Sequence, residues 1–544
     1  MDWKAHWGRR ERFVVFDARA GNGDGFAAAL AAWHADPRRP GRLHYIALCA
    51  GSTPGFRRRL QADPNVTLDL LCMPLAQALA QLEARIDAAI VHDVVDSATT
   101  RALARLAAPG ARLFDSAGVA CDENAIDGAS AGRSAQAVPP RPASRNAIVL
   151  GAGLAGGAAC ERLCARGWQV TLVERHQHAA TEASGNLAGI YMPLLSKDDN
   201  PGTRLSRAAF LFALDYWEKL GGIGAAIEGA GCGVLQLARG AEHAAVQRAI
   251  AGQGQFPPDF AEWLEAPAAS AMLGSSAPDG AWLFRKGGWA HPASVCAAML
   301  AACGDKLTRR FGVGDVTLRR EDDGQWTAMA ADGTAVASAP HLILANGTGA
   351  VKLAQAATLP LTPVRGQVTH LAEGIVRALP FVLCGEAYLT PAAHGIHCAG
   401  ASYDASPDPE LSAVSQDENL TRIRALLGDA QAGMGAPLRG RVGQRCVAPD
   451  RLPLVGALPD PAQLGRIERL RDIDRHAGLH ALLGYASRGL TWAPLCAELL
   501  AARLDGEPLP IEAALAAALD PARFLLRERR RRGAGGGVVT GSGV

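Results

Sequence analysis

At 544 residues the chain is too long for one hydrophobic core, and two to four domains are expected. Apolar residues make up 49% and charged residues 20%, ordinary for a globular protein, and the net charge of +2 excludes a polycation, so a nucleic-acid partner would need a local basic patch. The twelve cysteines form no C-x-x-C pair and no Cys/His ligand spacing, which predicts buried, reduced thiols and no metal site.

In chain order, Met1–Arg12 is charged and lacks an apolar core, so it does not read as a signal peptide. No run of about 18 apolar residues occurs anywhere, which argues against a membrane span and for a cytoplasmic location. Between residues 11 and 120, short apolar strands (Phe13–Phe16, Leu43–Leu48, Val66–Leu70, Ala88–Val91) alternate with helical segments at Ala27–Trp33 and Pro74–Leu82. That alternation predicts an open parallel α/β sheet. Periodicity is then lost, and the Ser/Ala/Pro-rich stretch around Gly128–Ser144 reads as a linker. The expected division is a first domain over 1–125, a linker over 126–145, a large mixed α/β region over 146–525 and a basic, Gly-rich, disordered tail over 526–544. Arg527–Arg532 holds five arginines, a solvated end or an RNA-contacting arm.

The strand Ala147–Leu150 runs straight into Gly151-Ala152-Gly153-Leu154-Ala155-Gly156, and Ala158–Arg166 continues as an amphipathic helix. A second strand, Gln169–Val173, ends on Glu174, 23 residues after Gly151, with Arg175 beside it. Each part has a task in holding a dinucleotide. Gly151 allows the tight turn, Gly153 lets a pyrophosphate approach the backbone, and Gly156 lets the helix pack on the sheet. The helix N-terminus offers N–H groups to the phosphates, and Glu174 accepts from ribose hydroxyls.

Downstream blocks resemble the D-amino-acid oxidase and glycine oxidase family of flavoproteins. They are the small-residue loop Ala183-Ser184-Gly185-Asn186 with Gly189, the strand and loop Leu342–Gly347, and Pro363–Gln367 with Gly366. Arg445–Gly456 and the final loop and helix start around Ser487-Arg488-Gly489-Leu490 continue the resemblance. It implies FAD as cofactor, a Rossmann-like FAD-binding domain with a mixed-sheet substrate domain, and a helix N-terminus near the flavin pyrimidine.

A narrower resemblance joins Ala183–Asp199 to Gly287–Trp289, Tyr388–Pro391, Gly400–Tyr403 and Ala493–Glu498. These stretches are similar to the oxidoreductase half of the bifunctional tRNA 5-methylaminomethyl-2-thiouridine biosynthesis family. That family removes the carboxymethyl group from a modified wobble uridine of tRNA and then methylates the exposed amine with S-adenosylmethionine. The resemblance implies a tRNA partner, a small electron acceptor with oxygen as the default, and a monomer. Arg445 is implied as the clamp for the substrate carboxylate, unless an acid such as Asp450 pairs with it, and Arg488 and Tyr388 are further candidates. Lys197 is either a substrate or phosphate contact or a solvated loop residue.

The first domain resembles a truncated, worn methyltransferase. Arg19 stands where the donor-binding nest should have its first glycine, and Cys49 where a ribose-binding acid should end the second strand. Asp93 is a shifted remnant of the catalytic loop, so methylation is doubtful. Two rivals stand beside a tRNA-modifying oxidoreductase: a free glycine, sarcosine or D-amino-acid oxidase, and a non-catalytic tRNA-binding protein.

Overall fold

The structure is a computed structural model that describes residues 3–535 except 8–9, 20–22, 52, 92–95, 116–118, 120–141, 436 and 463–466. Most of the expected linker, Asp93 and the last nine residues lie outside the described residues.

The first sheet has six strands: β1 (Arg12–Asp17), β2 (Arg42–Leu48), β3 (Gly55–Leu60), β4 (Val66–Cys72), β5 (Ile86–Ile90) and β6 (Ala107–Phe114). Their order is β3-β4-β2-β1-β5-β6, parallel throughout except for β3, which runs against β4. Central strands such as Phe13-Val14-Val15-Phe16 are wholly buried, as the continuous apolar runs require of a sheet covered on both faces. Helices Asp24–Ala35 and Leu75–Gln81 fall where the sequence places them. β3 and β6 do not betray themselves in sequence. Gly55-Phe-Arg-Arg-Arg-Leu60 reads as a charged loop, and β6 contains Pro109-Gly110.

One expectation is overturned here. Cys49 and Cys72 form a disulfide, because β2 and β4 are parallel neighbours in the register Leu48↔Leu71 and the two cysteines follow at adjacent strand ends. The nine free cysteines among the described residues are buried or partly buried thiols.

The second six-stranded sheet carries the dinucleotide motif. Its order is Leu307–Arg310, β8 (Gln169–Val173), β7 (Asn146–Leu150), His341–Leu344, Arg475–Leu483 and Leu454–Pro459, with only the last pair antiparallel. An eight-stranded mixed sheet, including Thr362–Ala372, Tyr388–Leu389, Ile396–Gly400 and Arg439–Val447, forms the second layer. The helix after the glycine run spans Leu154–Cys164 and is buried on every side, not amphipathic. It is enclosed by helices Pro292–Ala302 and Gly489–Asp505. The C-terminal segment also departs from expectation, since Arg523–Gly535 is a helix rather than a disordered tail from residue 526.

A buried ionic network joins the first sheet to the second body. Arg58, on β3, has its side chain fully out of solvent; it meets Asp69 at 2.7 and 2.6 Å, Glu498 at 2.9 Å and the Pro508 carbonyl at 2.8 Å. Arg166 meets the same Glu498 at 2.8 and 3.0 Å and Glu507 at 2.7 Å, and Arg42 reaches Glu507 at 3.0 Å. Burial pushes the Glu498 carboxyl up, but Arg166, Arg58 and Arg162 outweigh it and hold it well below the usual carboxylate range. Removing one partner of such a network strands the others without water.

Arg58→Ala therefore lowers unfolding stability by about 3–5 kcal/mol, read by urea denaturation. Buried His480 gives a pH dependence. Desolvation, with His341 and Arg503 nearby, lowers its pKa to about 3. A histidine depressed from about 6.5 in the unfolded chain stabilises the fold fully above that value and loses this contribution as pH falls. Stability falls from pH 6.5 towards 4.5 by up to about 1.4 kcal/mol per unit for this group, and His480→Gln makes that slope shallower.

Candidate functional site

Where the parallel sheet meets the mixed sheet, a cavity of about 1000 Å³ opens. The topology explains its place: strands β7, β8 and His341–Leu344 all end there, and ligands of open α/β sheets bind beyond the carboxyl ends of the strands.

The glycine run enters this cavity from β7. Gly151 has φ +97°, and a Cβ there would lie 2.7 Å from the Ala345 carbonyl. At Gly156 a Cβ would come within 1.7 Å of the Gly151 carbonyl, so the turn and the helix can be this close only without a side chain. Helix Leu154–Cys164 has no side-chain N-cap, although the Leu154 N–H donates to Ser184 Oγ at 3.2 Å. Glu174 is buried and accepts from the Ala152 N–H at 2.7 Å and the His176 N–H at 3.0 Å. Two carboxylate oxygens offer about four acceptor positions, so ribose hydroxyls can still be accommodated. A second helix, Gly489–Asp505, likewise begins at the cavity without a side-chain cap, with Ser487, Arg488, Gly489 and Leu490 on the wall. Two helix N-termini thus direct partial positive charge into one space.

Of the cofactor residues expected from sequence, Gly151, Gly153, Leu154, Ala155, Glu174, Arg175, Ala183, Ser184, Asn186, Gly189, Gly347, Gly366 and Ser487–Leu490 line the cavity. Gly156 and Gly185 stand behind it. Gly185 is packed so closely that a Cβ would meet Arg441 at 2.5 Å. Arg441 was not singled out by sequence, yet it fastens the loop: its guanidinium donates to Asn186 Oδ1 at 3.2 Å, to the Thr181 carbonyl at 2.6 Å and to the Glu182 carbonyl. The available signal was strand alternation, which puts Arg441 and Arg445 on one face of Arg439–Val447.

At the other end of the cavity lie Tyr388, Tyr403, Arg445, Arg488, Arg239 and Arg451. Arg445 donates to the backbone carbonyls of Ser402 at 3.1 Å and Arg365 at 3.3 Å, and its guanidinium lies 4.1 Å from the Tyr403 ring centroid. A Cβ on Gly366 would sit 2.0 Å from Arg445 Nη1, so Gly366 leaves room for this arginine. The structural alternative for Arg445 fails, because Asp450 is taken by Arg523 at 2.9 Å and Arg527 at 3.0 Å. Neither Arg445 nor Arg488 has an ion-pair partner among the described residues. Burial lowers the Arg488 pKa, with Tyr403 and Cys384 acting against it, and burial pushes the Tyr388 phenol well above its usual range. Unpaired guanidinium groups in a recess are suited to receive a ligand carboxylate. Lys197 is exposed and does not line the cavity. Arg365 faces away, binding Asp404 and the Asp408 and Glu410 carbonyls.

Beyond β1 of the first domain, described side chains cluster on Asp17. Arg19 bonds both oxygens of Asp17, at 2.8 and 2.7 Å, and the Tyr45 hydroxyl joins Asp17 at 2.5 Å. A Cβ on Gly25 would meet all three groups within 2.7 Å, so this polar cluster fills the space beyond β1.

Comparison with known proteins agrees with this arrangement. Residues 146–503 match the family described as FAD dependent oxidoreductase. The tRNA 5-methylaminomethyl-2-thiouridine biosynthesis bifunctional protein MnmC of Burkholderia thailandensis is 37% identical over 97% of this chain and 92% of its own length. Its namesake from Azoarcus sp. is 38% identical over 96% and 92%. Among solved structures, glycine oxidase from Geobacillus kaustophilus overlays with a TM-score of 0.58 at 20% identity, covering 70% of this chain and 99% of its own. Iminodiacetate oxidase from Chelativorans sp. BNC1 overlays at 0.53 and 24% identity, over 67% and 96%. These overlays show a common fold.

The cavity yields a direct test of its glycine cradle. Gly156→Ala yields protein without visible flavin absorbance, because the new methyl group displaces the Gly151 turn that lines the cavity; a yellow variant would sink this assignment.

Proposed function

Because the chain belongs to the tRNA 5-methylaminomethyl-2-thiouridine biosynthesis family and carries its FAD dependent oxidoreductase module, we propose that it removes the carboxymethyl group from 5-carboxymethylaminomethyl uridine at the tRNA wobble position. The observation that carries this reading is the pair Arg445 and Arg488, two guanidinium groups without acid partners among the described residues, in the recess that continues the dinucleotide cavity.

FAD fits the cradle: helix Leu154–Cys164, Ser184 and Glu174 would hold its pyrophosphate and ribose, and helix Gly489–Asp505 its pyrimidine end. Bound there, it supplies the two-electron oxidation that converts the N–CH2 bond of the carboxymethyl amine to C=N. Arg445, fixed by the Ser402 and Arg365 carbonyls, holds the substrate carboxylate and so orients the methylene. Arg488 adds a second positive charge, and the high pKa of Tyr388 keeps its hydroxyl protonated as a donor. Water then adds to the imine carbon and the C–N bond breaks, giving the aminomethyl uridine and glyoxylate. Amine nitrogen that reacts unprotonated needs no protein base.

The relatives are called bifunctional, but the second reaction is not proposed for this chain. A methyl donor would have to displace the Arg19–Asp17–Tyr45 cluster, and the ribose-binding acid is replaced by Cys49, bonded to Cys72. The product is accordingly the primary amine.

One experiment reads both claims. Substrate tRNA is incubated with the protein and S-adenosylmethionine, and its nucleosides are analysed. The expected product is 5-aminomethyl uridine with an equivalent of glyoxylate and no methylated amine. Arg445→Met lowers kcat/KM by about 10²–10³-fold while the flavin spectrum is kept, the cost of leaving a desolvated carboxylate unpaired. Oxidation of glycine or sarcosine in preference to tRNA would overturn the assignment, and a methylated product would overturn the reading of the first domain.

A further inference from the structure

One carboxylate needs one guanidinium clamp, yet the substrate end of the cavity has four arginines. Arg239 and Arg451 are both exposed, line the cavity and have no ion-pair partner among the described residues. Arg239 and Arg488 both act against the burial that raises the Cys384 thiol, and Arg451 adds to the burial that lowers Arg488. The field continues outward. Asp450, adjacent to Arg451, bonds Arg523 and Arg527 and so fastens helix Arg523–Gly535 beside the rim. This single carboxylate serves two guanidinium groups, and Arg530, which also donates to the Glu468 carbonyl, and Arg531 are exposed on the same helix.

The rim also offers an aromatic surface. Tyr403 is 63% exposed, the one aromatic among the exposed large apolar side chains of the described residues. It lines the cavity with the Arg445 guanidinium against its ring. An exposed aromatic ring flanked by arginines is the recurring composition of sites for unstacked nucleic-acid bases. A small amine would use neither the ring nor the outer charges.

We propose that this rim is an RNA-reading surface: Tyr403 is the stacking platform for the extruded base, and Arg239, Arg451 and the exposed arginines of helix Arg523–Gly535 contact the flanking phosphates. The inference rests on the tRNA reading above and gives that site its means of recognition. Arg445 covers one face of Tyr403, and a base on the other face shares its recess with this clamp, so that the two together measure a base that carries a carboxylate-ended side chain. The helix extends the contact to the backbone beyond the extruded nucleotide.

The test uses the full-length, flavin-loaded protein with tRNA carrying 5-carboxymethylaminomethyl uridine. Binding is followed by fluorescence anisotropy over a salt series, and anaerobic flavin bleaching by stopped flow. Tyr403→Ala weakens tRNA binding about tenfold, and Tyr403→Phe, which keeps the stacking face, restores it to within about twofold. Replacing Arg527, Arg530 and Arg531 together with Gln reduces the slope of log K against log salt by about 2. The flavin spectrum and unfolding midpoint of each variant report intact folding. Equal loss in Tyr403→Phe and Tyr403→Ala, an unchanged salt slope in the triple variant, or duplex DNA binding as tightly as tRNA overturns the proposal. Failure of the underlying function is a distinct outcome: the wild type binds this tRNA but its flavin is not bleached.

Discussion

Glu498 is the carboxylate on which the two halves of the molecule meet. It projects from the middle of helix Gly489–Asp505, whose first turn opens on the cavity, and it is bound by Arg166, just beyond helix Leu154–Cys164. From the other side Arg58 of β3 completes the set and carries Asp69 with it. A carboxylate so far from water is tolerable only because several guanidinium groups surround it, and none of those partners could be withdrawn singly without leaving a buried charge. The consequence is positional. The two helices whose N-termini open on the cavity are fixed to each other and to the first sheet through one side chain.

This gives the first domain a role independent of methyl transfer. Arg19, Asp17 and Tyr45 cluster beyond its β1, yet its β3 edge supplies Arg58 to the joint. The chain therefore carries two glycine-rich turns after two first strands, with opposite outcomes. In the second, glycines leave a space between turn and helix for a dinucleotide. After β1, the Arg19 guanidinium neutralises the acid that remains, Asp17.

The arginines fall into two populations, distinguished by their partners rather than their surroundings. Arg58, Arg166, Arg365 and Arg523 are buried and paired with carboxylates, and they hold strands, loops and helices together. Arg239, Arg445, Arg451 and Arg488 converge on one recess with no acid partners among the described residues. Unspent positive charge at the end of a flavin cavity matches a substrate that bears one carboxylate and is itself part of a polyanion.

By itself the sequence determined the local elements and the dinucleotide cradle, because those depend on neighbours in the chain, while FAD was implied by the family resemblance of the blocks downstream. Strand, glycine turn, helix and terminal Glu174 lie within 30 residues, and their spacing alone specifies a dinucleotide cradle. The strands at Phe13, Leu43, Val66 and Ala88 were legible for the same reason: short apolar segments, continuous at Phe13 and Ala88 and alternating at Val66, form buried parallel strands. Only the tertiary structure decided which charges are paired. Arg58 sits in a run of three arginines that reads as solvent-facing, and its partner Glu498 is 440 residues away. Asp450, five residues from Arg445, is drawn to Arg523 instead, and that leaves Arg445 without an acid partner among the described residues. Cys49 and Cys72 look like isolated thiols until parallel register sets them side by side. Hydrophobic periodicity is a local property of the chain. Ion pairing, disulfide formation and the contents of a cavity depend on which distant segments the fold brings within a few ångströms.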